Sequence, residues 1–145
     1  MTGNLRASDI LVSKIKEFEG LSLEAYKCPG GKWTIGYGHT NGVGEGKKIT
    51  ESQAESLLKG DLLPCEKYVD GLGVAKTQGQ FDALVDFCFN LGEGKLSSST
   101  LLAKIRGGSS DTEIQAEFRR WVYAGGKKLD GLVKRREWEA QRWTS

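Results

Sequence analysis

The chain is poor in the residues that announce metal, redox or secretory chemistry. It holds three cysteines, Cys28, Cys65 and Cys88, among 145 residues. So odd and sparse a set argues against the disulfide framework of a small secreted protein and fits maturation in a reducing compartment. One histidine and no Cys-x-x-Cys leave no metal-ligand spacing, so neither a metal nor another cofactor is expected. The segment Met1–Ser8 is short and polar and lacks an apolar core, so no signal peptide is expected. No apolar run approaches the length of a membrane span, which argues against a membrane anchor. Internal repeats, linkers and low-complexity tracts are missing too. Residues 1–145 therefore read as one domain, long enough to bury a core without staples.

What is present is ordinary globular composition, 38% hydrophobic and 28% charged. The net charge of +2 hides an asymmetry: from Arg119 onward, eight Lys/Arg face three Asp/Glu, and the preceding residues carry a net −3. A basic end on a mildly acidic body points to an anionic partner, whether nucleic acid, an acidic membrane surface or the bacterial wall. It is equally a solvated helical face that favours solubility.

Periodicity predicts a helix over Asp9–Glu19, with Leu11, Ile15 and Phe18 on one face, Ser8 as N-cap and Gly20 as stop. A stretch rich in glycine and aromatics follows. In it Glu24–Cys28 and Trp33–Tyr37 read as short strands joined by a Pro29-Gly30-Gly31 turn. Beyond Gly46 the pattern is helical. Thr50–Gln53, Thr77–Gln80 and Ser110–Glu113 are capping boxes. They precede the apolar sets Ala54/Leu57/Leu58/Leu62, Phe81/Leu84/Val85/Cys88 and Ile114/Phe118/Trp121. Pro64 is expected to kink or end the first of these helices, and Gly92 to close the second. A short helix around Leu101, Leu102 and Ile105 should stop at Gly107-Gly108, and a last one is expected over about 132–142. The fold class is α+β and mostly helical, with a small antiparallel sheet near the N-terminus. The approximate lobes are 12–60, bearing the sheet, and 61–145, the helical lobe. A groove between the two is the natural place for a ligand.

Three positions stand out for chemistry. Glu19 ends the first helix, where the negative end of the macrodipole, worth roughly 0.3–1 kcal/mol, favours a protonated carboxyl. Burial beside Tyr26 or Trp33 would act the same way. A protonated Glu is what glycosidic cleavage needs at the leaving oxygen; a Glu that merely ends a helix in solvent is the plain alternative. A hairpin would bring Cys28 and Thr34 to face one space near that carboxyl.

The order Glu19, eight residues, Cys28, five residues, Thr34 resembles the catalytic signature of the phage-type, T4-like lysozymes (endolysins; glycoside hydrolase family 24), which has Asp or Cys at the middle position. The context agrees: Phe18-Glu19-Gly20, the Leu21–Tyr26 segment, Trp33–His39, Phe81-Asp82-Ala83-Leu84 and Phe89-Asn90-Leu91-Gly92. So do Trp121, Ala124-Gly125-Gly126, Gly131-Leu132 and Arg135-Arg136-x-x-Glu139. The resemblance covers essentially the whole chain. It implies a lysozyme-like fold and a muramidase that hydrolyses the β-1,4 bond between N-acetylmuramic acid and N-acetylglucosamine in bacterial peptidoglycan, lysing the host cell.

By the same resemblance, Glu19 is the general acid, and Cys28, where many relatives carry Asp, positions or activates the attacking water. Thr34 holds that water in an inverting reaction. A Cys28 thiolate attacking the sugar itself is a second route, and a strand-end Cys that is simply buried a third reading. His39 resembles a structural partner of an Asp on the next helix, here Asp61. Thr40, Phe89, Thr100 and Gln115 align with groove residues that bind substrate, although Phe89 also suits a core and Gln115 a helix surface. The resemblance further implies a monomer that waits in the host cytoplasm and reaches the wall through a holin-type membrane hole.

Three rival readings remain. A lytic transglycosylase would use Glu19 alone, against which Cys28 and Thr34 speak. A non-catalytic wall-binding module would keep the groove without turnover, against which the intact triad speaks. A nucleic-acid binder explains the basic end alone and has no recognition motif, so no nucleic-acid partner is expected.

Overall fold

The computed structural model describes residues 5–145. The Met1–Ser8 expectation thus rests partly on residues 1–4, outside the described part. In chain order the elements are α1 (Asp9–Glu19), β1 (Ser22–Lys27), β2 (Trp33–Gly36), α2 (Glu51–Leu72), α3 (Gln78–Leu91), α4 (Glu93–Ser97), α5 (Thr100–Arg106), α6 (Asp111–Arg119), β3 (Tyr123–Ala124), β4 (Lys127–Lys128) and α7 (Asp130–Trp143). This is the mostly helical α+β class expected, with its main antiparallel sheet near the N-terminus. No helix among the described residues is long and apolar enough to cross a membrane.

The caps explain where helices begin. The Ser8 hydroxyl accepts from the Leu11 amide at 3.1 Å. Thr50 and Gln53 cap reciprocally: the Gln53 amide donates to Thr50 Oγ1 at 3.1 Å and the Thr50 amide to Gln53 Oε1 at 2.8 Å. Thr77 and Ser110 accept from the Gln80 and Glu113 amides. At the Thr77 box the glutamine reaches back one residue further, to the Lys76 amide at 2.9 Å.

Of the two outcomes expected at Pro64, an end of the helix does not occur: α2 runs on through it to Leu72. The proline deletes one backbone hydrogen bond. The apolar face continues on both sides of it, with Leu58, Leu62 and Val69 each about 1% exposed. Tertiary burial of that face outweighs the local defect.

The chain forms two compact units, one of Val12–Pro64, the other of Cys65–Ser145 with the residues before Val12. In the first, β1 and β2 pair antiparallel with Tyr26 opposite Thr34 and Lys27 opposite Trp33, and the register is irregular between Ser22 and Tyr26. Lys16 of α1 pairs with Glu55 of α2 and lies 5.5 Å above the Tyr37 ring.

The second unit is organised around α3, whose residues Phe81 to Cys88 are all buried; a helix buried all round belongs at a centre. Gly79 permits the close approach of α7: a Cβ there would lie 2.4 Å from the Arg142 carbonyl oxygen. Phe87 meets Phe118 and Trp121 edge-on at 6.0 and 5.4 Å. Buried Asp82 accepts from Ser8, Gln78 and Arg142. Arg135 makes a bidentate pair with Asp86. The Arg136 guanidinium contacts Glu139 at 2.7 Å, both fully buried. Burial, then the neighbouring Asp86, push the Glu139 carboxyl well above its usual range. Cys88 is buried against Cys65, and its thiol is pushed up by that hydrogen bond and by burial. Tyr123 and Ala124 pair with Lys128 and Lys127 in a hairpin around Gly125-Gly126, both glycines at positive φ.

Candidate active site

Glu19 is the last residue of α1, and the chain leaves the helix through Gly20 at φ +73°, a left-handed stop that favours glycine. The β1–β2 turn is tied by the Cys28 amide to the Lys32 carbonyl and the Gly31 amide to the Cys28 carbonyl, each 2.8 Å. This tie sets Cys28 beside Thr34: Sγ and Oγ1 are 3.0 Å apart. The Thr34 hydroxyl also reaches the Lys32 carbonyl at 3.3 Å. Thr34 is 2% exposed, while Cys28 is half-buried.

Tyr26 joins this group. Burial pushes its hydroxyl up, as do the neighbouring Cys28, a hydrogen bond with that residue, and the charge of Glu19. The phenol thus senses both Glu19 and Cys28.

After β2 the chain turns back on itself: Ile35 and His39 exchange two backbone hydrogen bonds of 2.9 Å. The turn needs glycine at two places. Gly36 has φ +65° and Gly38 φ +81°. At Gly38 a side chain would also crowd Glu19, whose Oε1 would lie 3.0 Å from a Cβ. The Gly38 backbone therefore forms one wall of the carboxylate's seat. His39 Nδ1 donates to Asp61 on α2 at 2.7 Å and 3.0 Å. Thr40 is exposed next to it.

The structure thus gathers Glu19, Cys28, Thr34, His39, Thr40 and Asp61 in the Val12–Pro64 unit. Phe89, Thr100 and Gln115 belong to the other unit. Phe89 is half-buried on α3. The Gln115 amide donates to the Ala140 carbonyl at 2.8 Å and reaches Thr144. Thr100 lines a cavity of about 230 Å³ with Glu117, Arg120 and Trp121. Burial raises the Glu117 carboxyl, but hydrogen bonds and charge from Lys104 and Arg120 outweigh it and hold the group below the usual range. Sequence reasoning missed Gly38 and Glu117. The first sat within the Trp33–His39 motif without a role. The second had no local signal, because its partners are assembled by tertiary packing. Among the described residues, no three His, Cys, Asp or Glu side chains are grouped to hold a metal ion.

Comparison with known proteins fits this arrangement. The phage lysozyme family model matches residues 16–139. An endolysin of Acyrthosiphon pisum secondary endosymbiont phage 1 is 42% identical over 86% of this chain and 88% of its own. An endolysin of Bacillus phage B103 is 47% identical over 88% of this chain, which spans about half (50%) of that relative's length. The muramidase domain of SpmX from Asticaccaulis excentricus superposes with a TM-score of 0.89 at 37% identity, covering 98% of this chain and 99% of that one. An endolysin from Escherichia coli O157:H7 phage FAHEc1 gives 0.87 at 35%, covering 99% and 96%. A lysozyme-type glycoside hydrolase acting on the bacterial cell wall is what these likenesses describe, and this chain belongs to the phage lysozyme family.

Proposed function

We propose that the chain is an inverting muramidase of the T4-like branch (glycoside hydrolase family 24). It hydrolyses the β-1,4 bond between N-acetylmuramic acid and N-acetylglucosamine, with Glu19, Cys28 and Thr34 as its catalytic residues. The observation that carries the reading is the 3.0 Å contact of Cys28 Sγ with Thr34 Oγ1, in the same compact unit as Glu19. Glu19 gives its proton to the glycosidic oxygen as the bond to the anomeric carbon breaks. A water held against both the Cys28 sulfur and the Thr34 hydroxyl attacks that carbon from the opposite face. Its surplus proton passes to the Cys28 sulfur in its thiolate form, or to solvent.

In the same reading, Thr40, Phe89, Thr100 and Gln115 bind substrate, and the His39–Asp61 pair is structural. The chain works as one domain with lobes of about 12–60 and 61–145. It acts as a monomer, waits in the host cytoplasm and reaches the wall through a holin-type membrane hole. Endolysin relatives of phage origin support the host-lysis role.

The test is turbidity clearing of chloroform-treated Gram-negative cells, with mass spectrometry of the released fragments. Wild type clears and leaves reducing muramic-acid ends. Glu19→Gln, which cannot donate the proton, loses on the order of 100-fold or more. Anhydro ends would convert the reading to a transglycosylase, and a fully active Glu19→Gln would end it.

A further inference from the structure

Tyr26 stands out because its position in the hairpin directs it to Cys28. Cys28 follows β1 by one residue, and its amide bond to the Lys32 carbonyl continues the hairpin pairing, so alternation two residues on turns it toward the Tyr26 face. Tyr26 is also the cross-strand partner of Thr34, and directly opposed residues share a face. Thr34 in turn contacts the Cys28 sulfur. Three side chains therefore form one polar cluster at the end of the hairpin, where Thr34 is buried and Tyr26 is 43% exposed.

We propose that Tyr26 is a positioning residue for Cys28: its phenol hydroxyl donates a hydrogen bond to the sulfur and, with Thr34, fixes the direction in which Cys28 meets the attacking water. The inference rests on the muramidase reading for its catalytic meaning. The contact itself does not depend on that reading.

A proton count gives the pattern. Thr34 has a single hydroxyl proton. Directed at the Lys32 carbonyl, it leaves the Thr34 oxygen to accept, so the Cys28 thiol donates to Thr34 and presents its lone pairs to Tyr26. When the sulfur is an anion, the Thr34 hydroxyl turns from Lys32 to the sulfur, which then takes two donors. Tyr26 donates in both states. Burial, reinforced by Cys28 and Glu19, keeps its hydroxyl protonated beyond the ordinary range, so it remains a donor throughout the working pH.

The test compares wild type with Tyr26→Phe, which keeps the ring and loses the hydroxyl. Alkylation of Cys28 by iodoacetamide at pH 7 is read by peptide mass mapping. The variant should react about threefold more slowly, having lost one donor to the anionic sulfur. On soluble glycan-strand fragments its kcat should fall about fivefold with KM unchanged, the loss of one ordinary hydrogen bond. A raised KM with kcat unchanged would instead make Tyr26 a sugar contact, and slowed alkylation with unchanged kinetics would remove the positioning role. Equal alkylation rates would overturn the proposal whatever the kinetics show. Failure of wild type to release reducing ends would sink the muramidase reading, while the alkylation comparison still decides the Tyr26–Cys28 bond.

Discussion

Gly38 offers a way to displace the Glu19 carboxylate, the acid of the proposed mechanism, without touching it. A Gly38→Ala change has two separable effects. The first is backbone strain, because φ is +81° and an L-residue there costs roughly 1–2 kcal/mol. For a chain of this size that is a fall in Tm of about 2–8 °C. The second is displacement: the new Cβ would stand 3.0 Å from Glu19 Oε1 and 3.5 Å from its Cδ. The carboxylate end must swing away by a few tenths of an ångström. Since a 1 Å misplacement can cost about 100-fold in rate, this smaller shift should lower kcat about tenfold. Gly36→Ala is the matched control. It carries similar strain at φ +65°, but the nearest atoms to its Cβ belong to Ala54 and Ile49, at 3.4 Å and beyond. Both variants should melt earlier by similar amounts, and Gly36→Ala should keep kcat within about twofold, because an uncrowded seat leaves transition-state contacts intact. Cell-wall clearing at 25 °C, where both remain folded, separates the two effects. Equal losses of kcat would refute the argument that Gly38 seats Glu19.

Other perturbations read other parts of the site and its supports. Cys28→Asp should retain substantial clearing activity if residue 28 orients water, and Cys28→Ser should lose some; full loss in the Asp variant would favour a nucleophilic sulfur. Asp61→Ala leaves His39 Nδ1, on a side chain only 12% exposed, without its acceptor. It should cost about 1–3 kcal/mol in urea unfolding, with Asp61→Asn milder, and equal stability of all three proteins would contradict a structural pair. On α7, hydrogen bonds from Arg119 and then Gln141 hold the Glu137 carboxyl down to about 2, against an ordinary 4.5. A depressed carboxylate contributes stability that is complete above the ordinary value and fades as pH falls toward 2. Because both side chains of this pair are more than 40% exposed, the contribution is under about 1 kcal/mol. Glu137→Gln should flatten the acid branch of the stability curve in that window, and an unchanged slope would mean the pair contributes nothing.

Much of this was legible in the chain because the signals were local. Ser8, Thr50, Thr77 and Ser110 announce helix starts through hydroxyls that accept nearby amides, a matter of three residues. Cys28 and Thr34 could be set together because a tight turn between alternating strands leaves little freedom. That α2 passes Pro64 without ending was not legible, for the opposite reason. The cost of a proline is local, but the burial of Leu58, Leu62 and Val69 that outweighs it is tertiary. Strands of two residues, Tyr123–Ala124 and Lys127–Lys128, are too short for any periodicity. The Gly125-Gly126 dipeptide between them, at φ +58° and +78°, was the hairpin signal that went unused. Glu117 and the Gly38 wall depend on segments meeting in space, which spacing along a chain does not report.

The His39 ring has a use as well as a structural place. It is the chain's single imidazole, is held to Asp61, and directly follows the glycine whose backbone walls the Glu19 carboxylate. Its Cδ2 and Cε1 protons should therefore give one isolated pair of lines in a carbon-correlated NMR spectrum, with no assignment problem. A glycan fragment settling against Glu19 would shift those lines, and one bound elsewhere would leave them still. The protein thus carries a built-in spectroscopic probe one residue from the backbone that walls the Glu19 carboxylate, with no label attached to the site itself.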